Sequence, residues 1–156
     1  MTERITEQTR PLVDAQIAKS WSGPFLVSKG VLHDSRTQPG FAAFADGELA
    51  GYALYNIANG ECEMTVLESL RQKRGVGGAL INAVIEAAKE SNCRRVWLIT
   101  SNDNTHAIRF YQRFGFSLKA VYIDAMDVAR QLKPQIPLLG EEGIPLQHEF
   151  EFEIVL

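Results

Sequence analysis

The sequence predicts a mixed α/β (α+β) domain: a mostly antiparallel sheet with one central parallel strand pair and flanking helices. Three observations carry that expectation. Two dipeptides suited to tight turns, Asp46-Gly47 and Asn59-Gly60, separate three runs of strand-forming residues. A helical stretch at 75–91 then lies between the strand at 61–67 and another at 95–100, as in a right-handed crossover joining parallel strands. The remaining strands are linked by single helices or long returns, without a strict βαβ alternation.

Each element has its own local reason. Residues 3–8 read as a short first strand, and Thr9-Arg10-Pro11 as a helix start, because proline suits a first turn. Val13, Ile17 and Trp21 follow at helical spacing. The stretch 22–40 is rich in Gly, Ser and Pro and offers one strand at 25–32. Residues 41–45, 49–57 and 61–67 form a three-stranded meander, since Asp-Gly and Asn-Gly supply the positive φ angles of hairpin turns. Leu80, Val84, Ala87 and Ala88 line one side of the helix at 75–91, which Asn92 ends. A second helix at 104–114 is closed by Gly115. Residues 116–123 and 148–155 are the last two strands, separated by an excursion at 124–147 that opens with a short helix at 124–132 and meets Pro134.

Composition sets the broad class. A chain of 156 residues fits one domain, 1–156, since domains commonly run to roughly 100–150 residues. Hydrophobic residues at 46% and charged residues at 22% are an ordinary globular balance. A net charge of −3 speaks against nucleic acid as a partner, which needs a clustered basic face. No apolar run spans a bilayer and Met1-Thr2-Glu3-Arg4 lacks an apolar leader, so no membrane partner is expected. Cys62 and Cys93 suggest neither a disulfide framework nor a zinc site, and a reduced, cytoplasmic setting is expected. His33, His106 and His148 show no ligand spacing, so no metal is expected. Asp103, an acid in a helix-start loop, reads as a capping residue.

The segment Gln72-Lys73-Arg74-Gly75-Val76-Gly77-Gly78 carries the strongest chemical signal. It lacks the Lys-Ser/Thr pair of a P-loop, and Leu80 stands where a dinucleotide fingerprint needs its third glycine. What remains is a Gln/Arg-x-x-Gly-x-Gly turn leading from a strand into a helix. Glycines there let successive backbone N–H groups face one anion, and the helix dipole favours negative charge at that point. Lys73 and Arg74 add charge-assisted contacts to phosphate. A plain basic turn would read the same way in isolation.

A second segment raises the specificity: Asn104, Ala107, Phe110-Tyr111 and Gly115-Phe116, spaced along and just beyond the second helix. Together with Gln72–Gly77 and the order of elements, it resembles the GNAT acetyltransferase superfamily, most strongly over residues 41–123. Arg71 departs from the pattern, which often has an aromatic residue there. The resemblance implies a GNAT-like fold and an acetyl-CoA-dependent N-acetyltransferase. It implies that Gln72, Lys73, Arg74, Gly75, Val76, Gly77 and Gly78 hold the pyrophosphate and that Asn104 touches the pantetheine arm. Backbone N–H groups near Val66 and Leu67 would serve the cofactor arm and the oxyanion. Tyr111, about two turns after Asn104 on the same helix face, would face the CoA sulfur and protonate it.

A primary amine with a pKa near roughly 10 must also lose a proton before it attacks. Glu61 and Glu63 alternate onto one strand face, opposite Cys62 and Met64, and Glu63 is the better base, directly or through water. Phe110 and Phe114 read as core aromatics. The excursion at 124–147 is expected to form the acceptor-side wall, or else to cover the sheet or pair with a second subunit in a homodimer. The alternative function is a non-catalytic acyl-CoA-binding sensor or interaction module. The acceptor itself is not named by the sequence.

Overall fold

The computed structural model describes residues 1–71 and 75–156. The described elements are β1 (Thr2–Arg4), α1 (Arg10–Trp21), β2 (Phe25–Ser28), β3 (Val31–Asp34), β4 (Gly40–Ala45), β5 (Glu48–Ala58), β6 (Glu61–Ser69), α2 (Val76–Glu90), β7 (Arg95–Ser101), α3 (Thr105–Phe114), β8 (Ser117–Tyr122), α4 (Ala125–Leu132) and β9 (Glu149–Val155). Strand order in the larger sheet is β1-β4-β5-β6-β7-β9-β8, and β2-β3 form a separate two-stranded sheet. The fold is therefore mixed α/β, as the sequence predicts. The chain gathers into two compact units: Met1–Pro24 with Asp34–Val96 and Val155–Leu156, and Phe25–His33 with Trp97–Ile154.

In the first unit β4, β5 and β6 form the antiparallel meander. Asp46 and Gly47 (φ 54° and 78°), and Asn59 and Gly60 (φ 55° and 73°), turn it at the two places where these residues tolerate positive φ. The parallel step starts where Arg94 N–H donates to Gly60 O at 2.8 Å, bringing the start of β7 beside the start of β6. Helix α2 packs on β5 and β6 through Leu80, Ile81 and Val84, all fully buried; each such side chain contributes roughly 1.5–3 kcal/mol. Gly51 on β5 permits this approach, because a Cβ there would meet Glu68 O and Val76 Cγ1 at 2.7 Å. Val13 and Ile17 of α1 are fully buried. Its last residue, Trp21, is 39% exposed but donates its indole N–H to Tyr52 Oη at 3.0 Å. Tyr52 in turn donates to Glu68 at 2.9 Å, which satisfies the polar end of a buried ring.

In the second unit α3 lies against β8, and β8 pairs with β9 antiparallel. Two expectations need correction. The first strand covers Thr2–Arg4 only, because Thr6 and Thr9 bond to each other's side chains and begin the turn into α1 instead. The strand expected at 25–32 is a hairpin: Lys29 and Gly30 both adopt positive φ (47° and 74°) and split it into β2 and β3.

Candidate active site

The turn into α2 provides the first component. Gly75 adopts the left-handed conformation (φ 69°, ψ 14°) and, being glycine, offers the helix no side-chain cap. A helix start of this kind leaves its first N–H groups, here on Val76, Gly77 and Gly78, for an external acceptor. Gln72, Lys73 and Arg74 lie outside the described residues. Arg71, the departure from the family pattern, forms ion pairs with Asp46 (3.2 Å) and Glu48 (3.0 Å), tying the approach to this turn to the β4–β5 hairpin.

Strand β6 provides the second. Glu61 at its start is held by Arg95 (3.1 Å) and Arg94 (3.3 Å), and the Arg95 hydrogen bond keeps its carboxyl below the usual range. A carboxylate engaged by two guanidinium groups is a weak proton acceptor. Glu63, two residues on, is buried at 5% exposure. Burial first, then Cys93 and the Glu63 charge, pushes the Cys62 thiol up to about 12; Cys62 and Cys93 are free and buried.

Sequence reasoning missed a β-bulge next to this point. Leu54 pairs with Val66 and Tyr55 with Met64, so Thr65 is the extra residue of β6. A bulge re-aims the backbone around it and is frequent beside active sites. Thr65 donates its hydroxyl to Gln38 Oε1 at 2.6 Å, and Arg10 donates to Gln38 O at 2.6 Å. Val66 follows the bulge directly, and Leu67 pairs with Ala53. No residue pattern announces a bulge of this kind, since Thr65 is an ordinary strand residue.

Helix α3 provides the third. Asn104 caps it, its Oδ1 accepting from Ala107 N–H at 3.1 Å. Asp103 does not cap, contrary to expectation. It is buried and accepts from Ser101 Oγ–H (2.5 Å) and Glu141 N–H (2.9 Å), so it holds a distant loop instead. Tyr111 is buried among Phe110, Phe116 and Phe152, with ring centroids at 5.5, 5.5 and 6.4 Å. Burial pushes its phenol above the ordinary value, so the hydroxyl gives up its proton less readily than a free phenol. His106 is exposed and lines a shallow pocket with Arg109, Phe110, Arg113 and Phe114. Among the described residues no group of His, Cys, Asp or Glu could hold a metal ion, and no helix is long and apolar enough to cross a membrane.

The Acetyltransferase (GNAT) family model matches residues 7–116. The chain belongs to the GNAT acetyltransferase family. Within the family it is 40% identical over 141 residues to the uncharacterized protein YdhI of Bacillus subtilis (strain 168), covering 89% of this chain and 88% of that one. It is 32% identical over 84 residues to the spermine/spermidine N(1)-acetyltransferase of the same organism, 47% of this chain and 55% of that protein. Its fold matches a Bacillus subtilis acetyltransferase solved in complex with CoA, with a TM-score of 0.71, 21% identity and coverage of 99% and 97%. That likeness is one of overall fold. This GNAT protein thus has the mixed α/β fold of its family.

Proposed function

We propose that this GNAT protein transfers the acetyl group of acetyl-CoA to a primary amine by direct attack. The observation that carries the reading is the placement of Tyr111: a phenol on α3, the helix that Asn104 caps. A module that only bound acyl-CoA would be served as well by phenylalanine.

In this reading the first-turn amides of α2, with the preceding basic residues Lys73 and Arg74, hold the pyrophosphate. Asn104 contacts the pantetheine arm. Glu63, directly or through a water, removes the proton from the ammonium, and the free amine attacks the thioester carbonyl. Negative charge on the carbonyl oxygen is met by backbone N–H groups at Val66 and Leu67, where the Thr65 bulge re-aims the strand. Collapse breaks the C–S bond and the thiolate takes the Tyr111 proton, which solvent then restores. The products are the acetamide, CoA as its thiol, and one proton.

A spermine/spermidine acetyltransferase among the relatives supports a cationic amine as acceptor, as does the net charge of −3. The test is thiol release from acetyl-CoA with a panel of amines. Acceptor-dependent release supports transfer; acetyl-CoA binding without release by any amine identifies a binding module instead.

A further inference from the structure

The tip of the β2–β3 hairpin places an ammonium group in a cage. Lys29 Nζ lies 3.1 Å from Glu151, whose side chain is 3% exposed, and 5.0 and 5.2 Å from the ring centroids of Trp97 and Tyr122. Tyr122 donates its hydroxyl to Glu151 at 2.7 Å. Glu149, also buried, accepts from the Lys29 backbone N–H at 3.3 Å. Two aromatic faces around a buried carboxylate are the chemistry that recognises an alkylammonium.

Burying two carboxylates is costly unless cations answer them, and Lys29 delivers one from the turn between β2 and β3. The hairpin lies outside the larger sheet and is anchored at its base, where Val27 packs on Met126, Ala129 and Leu146 and Lys133 donates to Phe25 O, which leaves the tip at Lys29 as its far end. Phe25, Val31 and Leu32 on it are 41%, 52% and 44% exposed. Lys29 itself is 35% exposed along its side chain, so solvent reaches the site.

We propose that Trp97, Tyr122, Glu149 and Glu151 form a binding site for an alkylammonium group, which Lys29 fills as a tethered occupant that a free cationic amine displaces. Resting on the function proposed above, this site takes a charged end of the acceptor, and the acceptor class is an amine carrying at least one alkylammonium group. The hairpin tip then competes with the acceptor for the cage.

The test removes the tether. Lys29→Gly suits the positive φ of this turn and deletes the equivalent of n-butylamine. In thermal unfolding of the full chain, n-butylammonium chloride is expected to raise the Tm of Lys29→Gly saturably, by about 4 °C near ten times its Kd. The rise should vanish in Lys29→Gly/Glu151→Gln and require at least about tenfold more amine in the unmutated protein. No saturable rise, or an equal rise with sodium chloride or n-butanol, overturns the proposal. Should Lys29→Gly not fold, the unmutated protein carries the test. Displacement of the Lys29 tip by the free amine frees the backbone N–H that donates to Glu149, so hydrogen exchange at that amide should quicken saturably with n-butylammonium at constant ionic strength; unchanged exchange overturns the proposal. Neither readout uses acetyl-CoA, so a negative result leaves the acetyl-transfer reading standing, and a failed transfer assay leaves this site testable.

Discussion

Asn102 and His148 bind each other twice: Asn102 N–H donates to His148 O at 3.0 Å, and His148 N–H donates to Asn102 Oδ1 at 2.9 Å. The same Oδ1 accepts from Gln147 N–H, and Asn102 Nδ2 donates to Pro145 O, each at 2.9 Å. The next residue, Asp103, receives Glu141 N–H, and its carboxylate occupies the space a Cβ at Gly140 would need. Two consecutive side chains after β7 therefore clamp the return from residue 140 to 148.

Asn102→Ala removes three side-chain hydrogen bonds, worth about 0.5–1.5 kcal/mol each. A loss of about 2–3 kcal/mol in denaturant unfolding is expected, with faster hydrogen exchange at Gln147 and His148. Unchanged protection at those two amides would mean that the clamp is ornamental.

This clamp marks where sequence reading runs out. The meander was legible because Asp46-Gly47 and Asn59-Gly60 encode their own φ angles, and α2 because Leu80, Val84 and Ala87 keep helical spacing. Such signals are local. A loop acid beside a helix start usually caps it, yet here Asn104 takes that role and Asp103 serves a partner 38 residues away. The hairpin at Lys29-Gly30 was hidden because a lysine with positive φ has no distinctive pattern. The Thr65 bulge was hidden because its cause is the pairing of β5 with β6, a non-local fact. Of the candidate site, the motif residues were legible through resemblance, while the two-arginine grip on Glu61 joins residues more than thirty apart and leaves no local pattern.

Gly77→Val places a side chain in the first turn of α2, where the pyrophosphate is expected. Helix propensity alone costs little, because valine is no worse than glycine in a helix. Calorimetry should show acetyl-CoA affinity lost in a protein whose unfolding curve is nearly that of the parent. Unchanged affinity would falsify the cofactor assignment.

Tyr111→Phe keeps the packing against Phe116 and Phe152 and deletes the proton donor. Turnover with a good amine should fall by about 10²-fold or more, with acetyl-CoA affinity little changed. Turnover at the parental level would reduce Tyr111 to a core aromatic.

Glu61 contributes a pH-dependent term with a definite sign. Its folded carboxyl sits below the usual range because Arg95, then Arg94, binds the ionised form. The contribution is therefore full above the unfolded value of about 4.3 and is lost as pH falls through the lower folded value. Glu61→Gln should be less stable than the parent at pH 6, and the gap should narrow as pH drops below about 4.5. A gap constant from pH 6 to pH 3 would show that the ion pair adds nothing.

The excursion at 124–147 remains the expected acceptor-side wall, and its internal packing dictates how that can be tested. Met126, Ala129 and Leu146 form a small core with Val27 and Ile136, so removing the whole segment would damage the unit that carries it. Arg130 donates to the carbonyls of Pro137 and Leu146, pinning both feet of the outer part. Between those feet, Leu138 and Leu139 are 74% and 61% exposed, and a bridge joins Leu139 to Pro145. Replacing residues 138–144 by a short glycine turn spares the small core and both Arg130 contacts. In a variant that still folds and binds acetyl-CoA, a changed ranking across the amine panel supports the wall. An unaltered ranking sinks it, and conversion of a dimer to monomer in sedimentation assigns the two leucines to an interface.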